Sequence, residues 1–269
     1  MKYSYLSDSV KVKKVEEKGN RGEFHIEGLY TGYGVTIANS LRRALLSSLP
    51  GAAISQIKVK GVKHEFSTIP GVVEDMVEFI LNLKKIRFEF NADEPQVLKL
   101  KVKDAKEIKA GDIESTTLVE VVNKDLVIAH LSSKKSSLEM EVTVEKGLGY
   151  VPAENRKSER LPVGTIMLDC IFSPIVNVEF DVENMRVGER TDYNKIKIII
   201  ETDGSITPSS ALQKSTNILR DHFLKIFEGS GGKIKESKEK DESSSDEDSD
   251  DKKEKKTKTT KKKKKKPKK

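Results

Sequence analysis

Apolar and polar residues alternate near the start of the chain, in Lys11-Val12-Lys13-Lys14-Val15 and in Glu23-Phe24-His25-Ile26-Glu27. That period of two predicts a pair of half-buried strands. After the turn Gly28-Leu29-Tyr30-Thr31-Gly32-Tyr33-Gly34 the period changes. Ile37, Leu41, Ala44 and Ser48 fall on one line and Ala38, Leu41, Leu45 and Leu49 beside it, an apolar stripe that predicts a helix over 36–49. Thr36 suits the N-cap, and Pro50-Gly51 marks the stop.

The stretch 52–174 is mostly strand-like, with runs at 54–59, 86–90, 97–102, 117–122, 126–131 and 138–144. One helix is predicted inside it, over 70–83, where Val72, Val73, Met76, Phe79, Ile80 and Leu83 share a face while Glu74, Asp75 and Glu78 lie elsewhere on the wheel. Residues 146–164 carry three glycines and two prolines and read as a long loop. The whole stretch reads as an antiparallel sheet with one covering helix. Strands return at 175–182 and 195–201, and Pro208 opens a helix to about Phe227. Its Leu212, Thr216, Leu219, Phe223 and Ile226 form a short seam, widened by His222 and Phe227, that can pack against another helix. After Phe227 the only apolar residue is Ile234, so 230–269 is expected to be disordered. Its acid and serine concentrate in 236–251 and its lysine in 252–269.

Charge sharpens this division. The 269 residues hold 50 Lys+Arg and 43 Asp+Glu, a formal +7. Residues 229–269 contain 17 of the lysines and 10 of the acids, which leaves 33 basic and 33 acidic residues for 1–228. The body therefore lacks the overall basic charge typical of a nucleic-acid-binding domain, although a local patch remains open. About 230 residues bury enough surface to need no staple. With Cys170 alone there is no intramolecular disulfide and no cysteine-based zinc site. No apolar run approaches the roughly 20 residues of a membrane helix, and a reducing, cytoplasmic location is expected.

Candidate chemistry is sparse. Gly28, Gly32 and Gly34 precede a helix, but their spacing fits neither dinucleotide nor P-loop signatures; a tight strand-to-helix turn is the competing reading. His25, His64, His130 and His222 are far apart in sequence. Asp181-Val182-Glu183 resembles a paired-carboxylate motif, although alternating charge on a strand's solvent face is common. Cys170 lies among Met167, Leu168, Ile171 and Phe172, the setting of a buried, inert thiol. No acid, base and nucleophile converge, so an assembly component is favoured over an enzyme.

One segment carries a specific resemblance: Gly32-Tyr33-Gly34-Val35-Thr36-Ile37-Ala38-Asn39-Ser40-Leu41-Arg42-Arg43-Ala44-Leu45-Leu46-Ser47-Ser48-Leu49-Pro50-Gly51. Together with His64-Glu65-Phe66-Ser67-Thr68, Val72-Val73-Glu74-Asp75, Leu81-Asn82-Leu83-Lys84, Gly147-Leu148-Gly149-Tyr150-Val151-Pro152-Ala153 and Arg186-Val187-Gly188-Glu189-Arg190-Thr191-Asp192, it resembles the amino-terminal domain of bacterial RNA polymerase alpha subunits. The resemblance implies an α+β fold with a two-part body. A dimerisation subdomain would be formed by 1–50 and 175–229, a mainly antiparallel β subdomain (51–174) would be inserted in it, and the tail would occupy 230–269.

It further implies a homodimer held through the helices at 36–49 and 208–227, with Leu41, Leu45, Leu219, Phe223 and Ile226 at the interface. That dimer would bind the beta subunit through Arg43, Leu46 and Glu78 and the beta-prime subunit through Lys84, nucleating a DNA-directed RNA polymerase, a nucleotidyltransferase. The catalytic residues and magnesium would belong to those partners, with no cofactor or metal in this chain. The family's carboxy-terminal DNA-contacting domain is expected to be absent. Lys261, Lys262, Lys263, Lys264, Lys265 and Lys266 would then either touch DNA phosphates or serve as a solvated tail, and both readings stay open. The rival classes are a free-standing nucleic-acid-binding protein that uses this tail, and an enzyme in its own right.

Overall fold

The computed structural model of the chain describes residues 8–103, 107–133, 136–156, 162 and 164–232. In chain order its elements are β1 (Lys11–Lys18), β2 (Arg21–Leu29), α1 (Tyr33–Ser48), β3 (Pro50–Val59), α2 (Met76–Leu83), β4 (Phe88–Phe90), β5 (Gln96–Lys103), β6 (Glu107–Lys109) and β7 (Val119–Val121). There follow β8 (Val127–His130), β9 (Ser137–Leu148), β10 (Tyr150–Val151), β11 (Thr165–Met167), β12 (Cys170–Ile171), β13 (Ile175–Val187), β14 (Arg190–Thr202) and α3 (Pro208–Gly229). All the paired strands are antiparallel, and with the three helices they make an α+β fold.

Two separate hydrophobic clusters follow from the strand periods. In the sheet ordered β1-β2-β14-β13, Phe24 and Ile26 of β2 bury the same face as Ile196, Ile198 and Ile200 of β14. Ala38, Leu41 and Leu45 of α1 and Ala211 of α3 complete that cluster. The second sheet, ordered β11-β3-β9-β5, buries Ile57, Leu98, Leu100, Val142 and Val144, covered by Met76, Phe79, Ile80 and Leu83 of α2. Each such side chain contributes on the order of 1.5–3 kcal/mol on leaving water. The first cluster draws on both ends of the described chain and the second only on its middle.

Several expectations change. β1 is a strand but not a half-buried one, because it is the sheet's edge; Val12 and Val15 are exposed. α1 starts at Tyr33, three residues before the expected N-cap Thr36, and its first amides are capped from another element, by Asn194. α2 starts at Met76, not near Pro70, because the Asp75 carboxylate caps it by accepting from the Glu78 amide at 2.7 Å. Ahead of it Gly71 adopts φ 82°, and Val72 bridges to Leu131. Much of the loop predicted over 146–164 is strand: β9 runs on to Leu148, and Tyr150 pairs with Ile171. Gly147 permits this, since a Cβ there would stand 2.5 Å from the Phe172 ring. The short β6 and β11 were not expected. The acidic and lysine-rich tail lies outside the described residues.

The head of α3 is fastened to β1. Glu17 accepts from the Ser209 amide at 3.0 Å and from its hydroxyl at 2.7 Å. The Ser209 hydroxyl, and after it Lys14, lower the Glu17 carboxyl from an ordinary 4.5 to about 2. A carboxyl depressed in this way stabilises the fold above its ordinary pKa, and the contribution is lost as pH falls from about 4.5 toward 2. The thermal midpoint should therefore drop across that window. Glu17→Gln should lower the midpoint at pH 7 and make the drop less steep; parallel curves for the two proteins would refute the link.

Candidate protein-interaction surfaces

Three faces of the body carry side chains that its two clusters do not use. On α1 the buried stripe leaves Arg42, Arg43 and Leu46 pointing outward, with Arg43 and Leu46 one turn apart on the same face. The helix is held in place at both ends. At the start, Asn194 of β14 accepts from the Gly32 amide at 2.9 Å and the Gly34 amide at 3.3 Å, and donates to Asn184. Gly34 lies so close to β13 that a Cβ would stand 2.7 Å from Val182. At the far end the Leu46 carbonyl accepts from the Ser173 hydroxyl.

The second face surrounds α2. Glu78 is exposed in its first turn, where a carboxylate favours the helix dipole. Lys84 caps the other end, its ammonium 3.3 Å from Asp169. Asp169 also accepts from the Ala153 amide at 2.9 Å, and that bond is the largest influence holding its carboxyl below the usual range. Lys84 and Asp169 line a small cavity with Tyr150 and Ile171. Tyr150, Ile171 and the nearby Leu148 are exposed apolar side chains that the sequence patterns do not single out as a surface. The Gly147-to-Ala153 motif contains Leu148 and Tyr150 but not Ile171.

The third face is the end of α3. Every residue from Asp221 to the end of that helix is exposed, among them Phe223 at 63% and Ile226 at 66%, together with Leu224 and Phe227. Leu219 is half-buried. Leu41 and Leu45, expected at an interface between copies, are instead 6% and 0% exposed in the chain's own core. Their stripe faces the sheet, so they can support such an interface only from behind.

The other candidate chemistry finds structural explanations. Gly28 and Gly32 adopt φ 78° and 85°, and the Gly32 and Gly34 amides, which a phosphate would need, already donate to Asn194. Glu183 faces Lys195 at 3.7 Å, while Asp181 accepts from the Val182 amide. Cys170 is buried, its thiol donates to the Ile54 carbonyl at 3.1 Å, and burial pushes its pKa up. Among the described residues no group of three or more His, Cys, Asp or Glu is placed to hold a metal. No described helix is long and apolar enough to cross a membrane.

Fold and surfaces together define an α+β chain with two hydrophobic clusters, one built from both ends of the described residues and one from their middle, and with apolar and basic side chains turned outward. Known proteins place it more closely. Residues 56–173 match the RNA polymerase Rpb3/RpoA insert domain. The DNA-directed RNA polymerase subunit alpha of Carboxydothermus hydrogenoformans is 46% identical over 239 residues, covering 86% of this chain and 76% of that one. Its counterpart in Moorella thermoacetica is 49% identical over 208 residues, 77% of this chain and 66% of the relative. That of Alkaliphilus oremlandii is 46% identical over 213 residues, 79% and 67%. The chain belongs to the family of bacterial RNA polymerase alpha subunits.

Proposed function

We propose that this chain is the scaffold subunit of a DNA-directed RNA polymerase: it homodimerises, and the dimer nucleates the core by binding the beta and beta-prime subunits. The observation that carries this reading is the projecting end of α3. A helix end that exposes Phe223, Leu224, Ile226 and Phe227 together is the mark of a surface that another protein covers, and a second copy offers the same apolar end. In this reading residues 1–50 and 175–229 form the dimerisation subdomain and 51–174 the insert. Arg43, Leu46 and Glu78 meet the beta subunit and Lys84 meets beta-prime. The chemistry of nucleotide transfer, with its magnesium, belongs to those partners, and the compartment is the cytoplasm. For Lys261 to Lys266, which lie outside the described residues, two readings stand: phosphate contacts to DNA in the assembled enzyme, or a solvated tail.

Light scattering of the purified chain, alone and with a matching beta subunit, tests the proposal. A dimer that captures one beta chain is expected. Arg43→Ala should weaken capture at least about tenfold while leaving the dimer intact, since the guanidinium is exposed and supports no fold contact. A monomer indifferent to beta would overturn the reading.

A further inference from the structure

The two partner-facing surfaces lie on different bodies. One is the Arg43-Leu46 end of α1; the other is α2, with Glu78 in its first turn and Lys84 at its end beside Ile171. They adjoin through Ser173, which bonds the Leu46 carbonyl and lies two residues beyond Ile171. Packing between the bodies is incomplete nearby: a cleft of about 400 Å³ opens between them, lined by Pro50, Phe88, Phe90, Pro174, Ile206 and Thr207. The ends of β3 and β9 pair at Pro50 and Leu148, a two-stranded ribbon at the junction.

Arg87 supplies a brace. Its Nη1 donates to the Lys84 carbonyl at 3.0 Å, fixing the guanidinium to the end of α2. Its Nε lies 3.5 Å from Asp203 of the other body, in a pair that is only 34% and 11% exposed. Asp203 is itself rigidly held, accepting from the Ser205 amide and hydroxyl and donating its own amide to Pro174. A polar chain thus runs from the Ala153 amide through Asp169, Lys84 and Arg87 to Asp203 and the loop that opens α3.

We propose that Arg87 is a positioning residue: paired with Asp203, it sets the angle between the two bodies, so that the Arg43-Leu46 end of α1 and Glu78 of α2 meet the beta subunit as a single surface. This rests on the scaffold reading above. A braced surface loses less freedom when it docks, so the pair strengthens binding without touching the partner.

The test separates the brace from the docking. Cysteines placed at Val12 and Val97, both exposed valines on opposite bodies, carry spin labels, with the labelled chain diluted in unlabelled chain; the buried Cys170 thiol stays unmodified. Arg87→Ala and Asp203→Asn should each broaden the interlabel distance distribution, and Lys101→Ala should not. The asparagine keeps the acceptor that Ser205 uses, so it removes the ion pair without the turn. Arg87→Lys should restore part of the narrow distribution. Beta capture should weaken about tenfold in either variant and no further in the double variant, with homodimerisation unchanged. Distributions of wild-type width in both Arg87→Ala and Asp203→Asn would overturn the brace. Broadened distributions with undiminished capture would overturn its role in docking. A wild-type dimer that ignores beta would instead overturn the scaffold reading and the docking role together, the label distances still deciding the brace.

Discussion

Phe223→Asp should convert the proposed dimer to monomers or to insoluble protein. Phe223 touches no part of the chain's own core; it sits on the projecting end of α3 beside Ile226 and Phe227. Covering a phenylalanine contributes about 2 kcal/mol, and a symmetric interface loses two of them. The charge adds a desolvation penalty, so the dissociation constant should rise at least about a thousandfold. Sedimentation or light scattering across a concentration series reads this directly. A soluble dimer of unchanged affinity would show that the interface lies elsewhere.

Gly51→Ala should damage the fold itself. A Cβ at this position would stand 1.8 Å from the Phe172 carbonyl oxygen and 3.4 Å from Pro174. Neither obstacle is a flexible side-chain tip, so the backbone must move where the chain leaves one body for the other. Gly51 faces Gly147 across the β3-β9 ribbon, and the Phe172 ring lies against Gly147, so the same residue blocks both strands. A loss of about 3 kcal/mol or more is expected, a fall in thermal midpoint of roughly 6 °C or more. A midpoint within about 2 °C of wild type would mean that Phe172 and its strand yield far more easily than their packing suggests.

These two residues also show which parts of the molecule were legible in the sequence. The seam through Leu219, Phe223 and Ile226 was, because helical period survives whether the face is covered by the same chain or by another. For the same reason the stripe could not say that Leu41 and Leu45 face inward while Phe223 faces out. Periodicity also carried the helix at α2 too far back: Val72 and Val73 continue its apolar pattern, but Gly71 turns left-handed and Asp75 caps, and short polar cues of that kind decide where a helix begins. The N-cap of α1 was out of reach, since the oxygen that caps it belongs to Asn194 and no local pattern encodes a partner that distant. The apolar patch of Leu148, Tyr150 and Ile171 was hidden because 146–164 reads in sequence as a loop and Ile171 as a neighbour of a buried thiol. Arg87 and Asp203 are each unremarkable until the fold brings them together.

That distant cap has a bearing on how the protein is made. Gly34 and Asn194 are 160 residues apart, and β2 pairs with β14 across a similar span. At typical ribosomal speed, about 5–20 residues per second, Asn194 is synthesised on the order of ten seconds after Gly34. The host body therefore cannot close while its own first half waits outside the ribosome, whereas the insert, with its separate core, can finish folding during that interval. Assembly during translation should run from the middle outward, with the α1 and α3 ends last to settle, and two copies should be able to pair only after both chains are nearly complete.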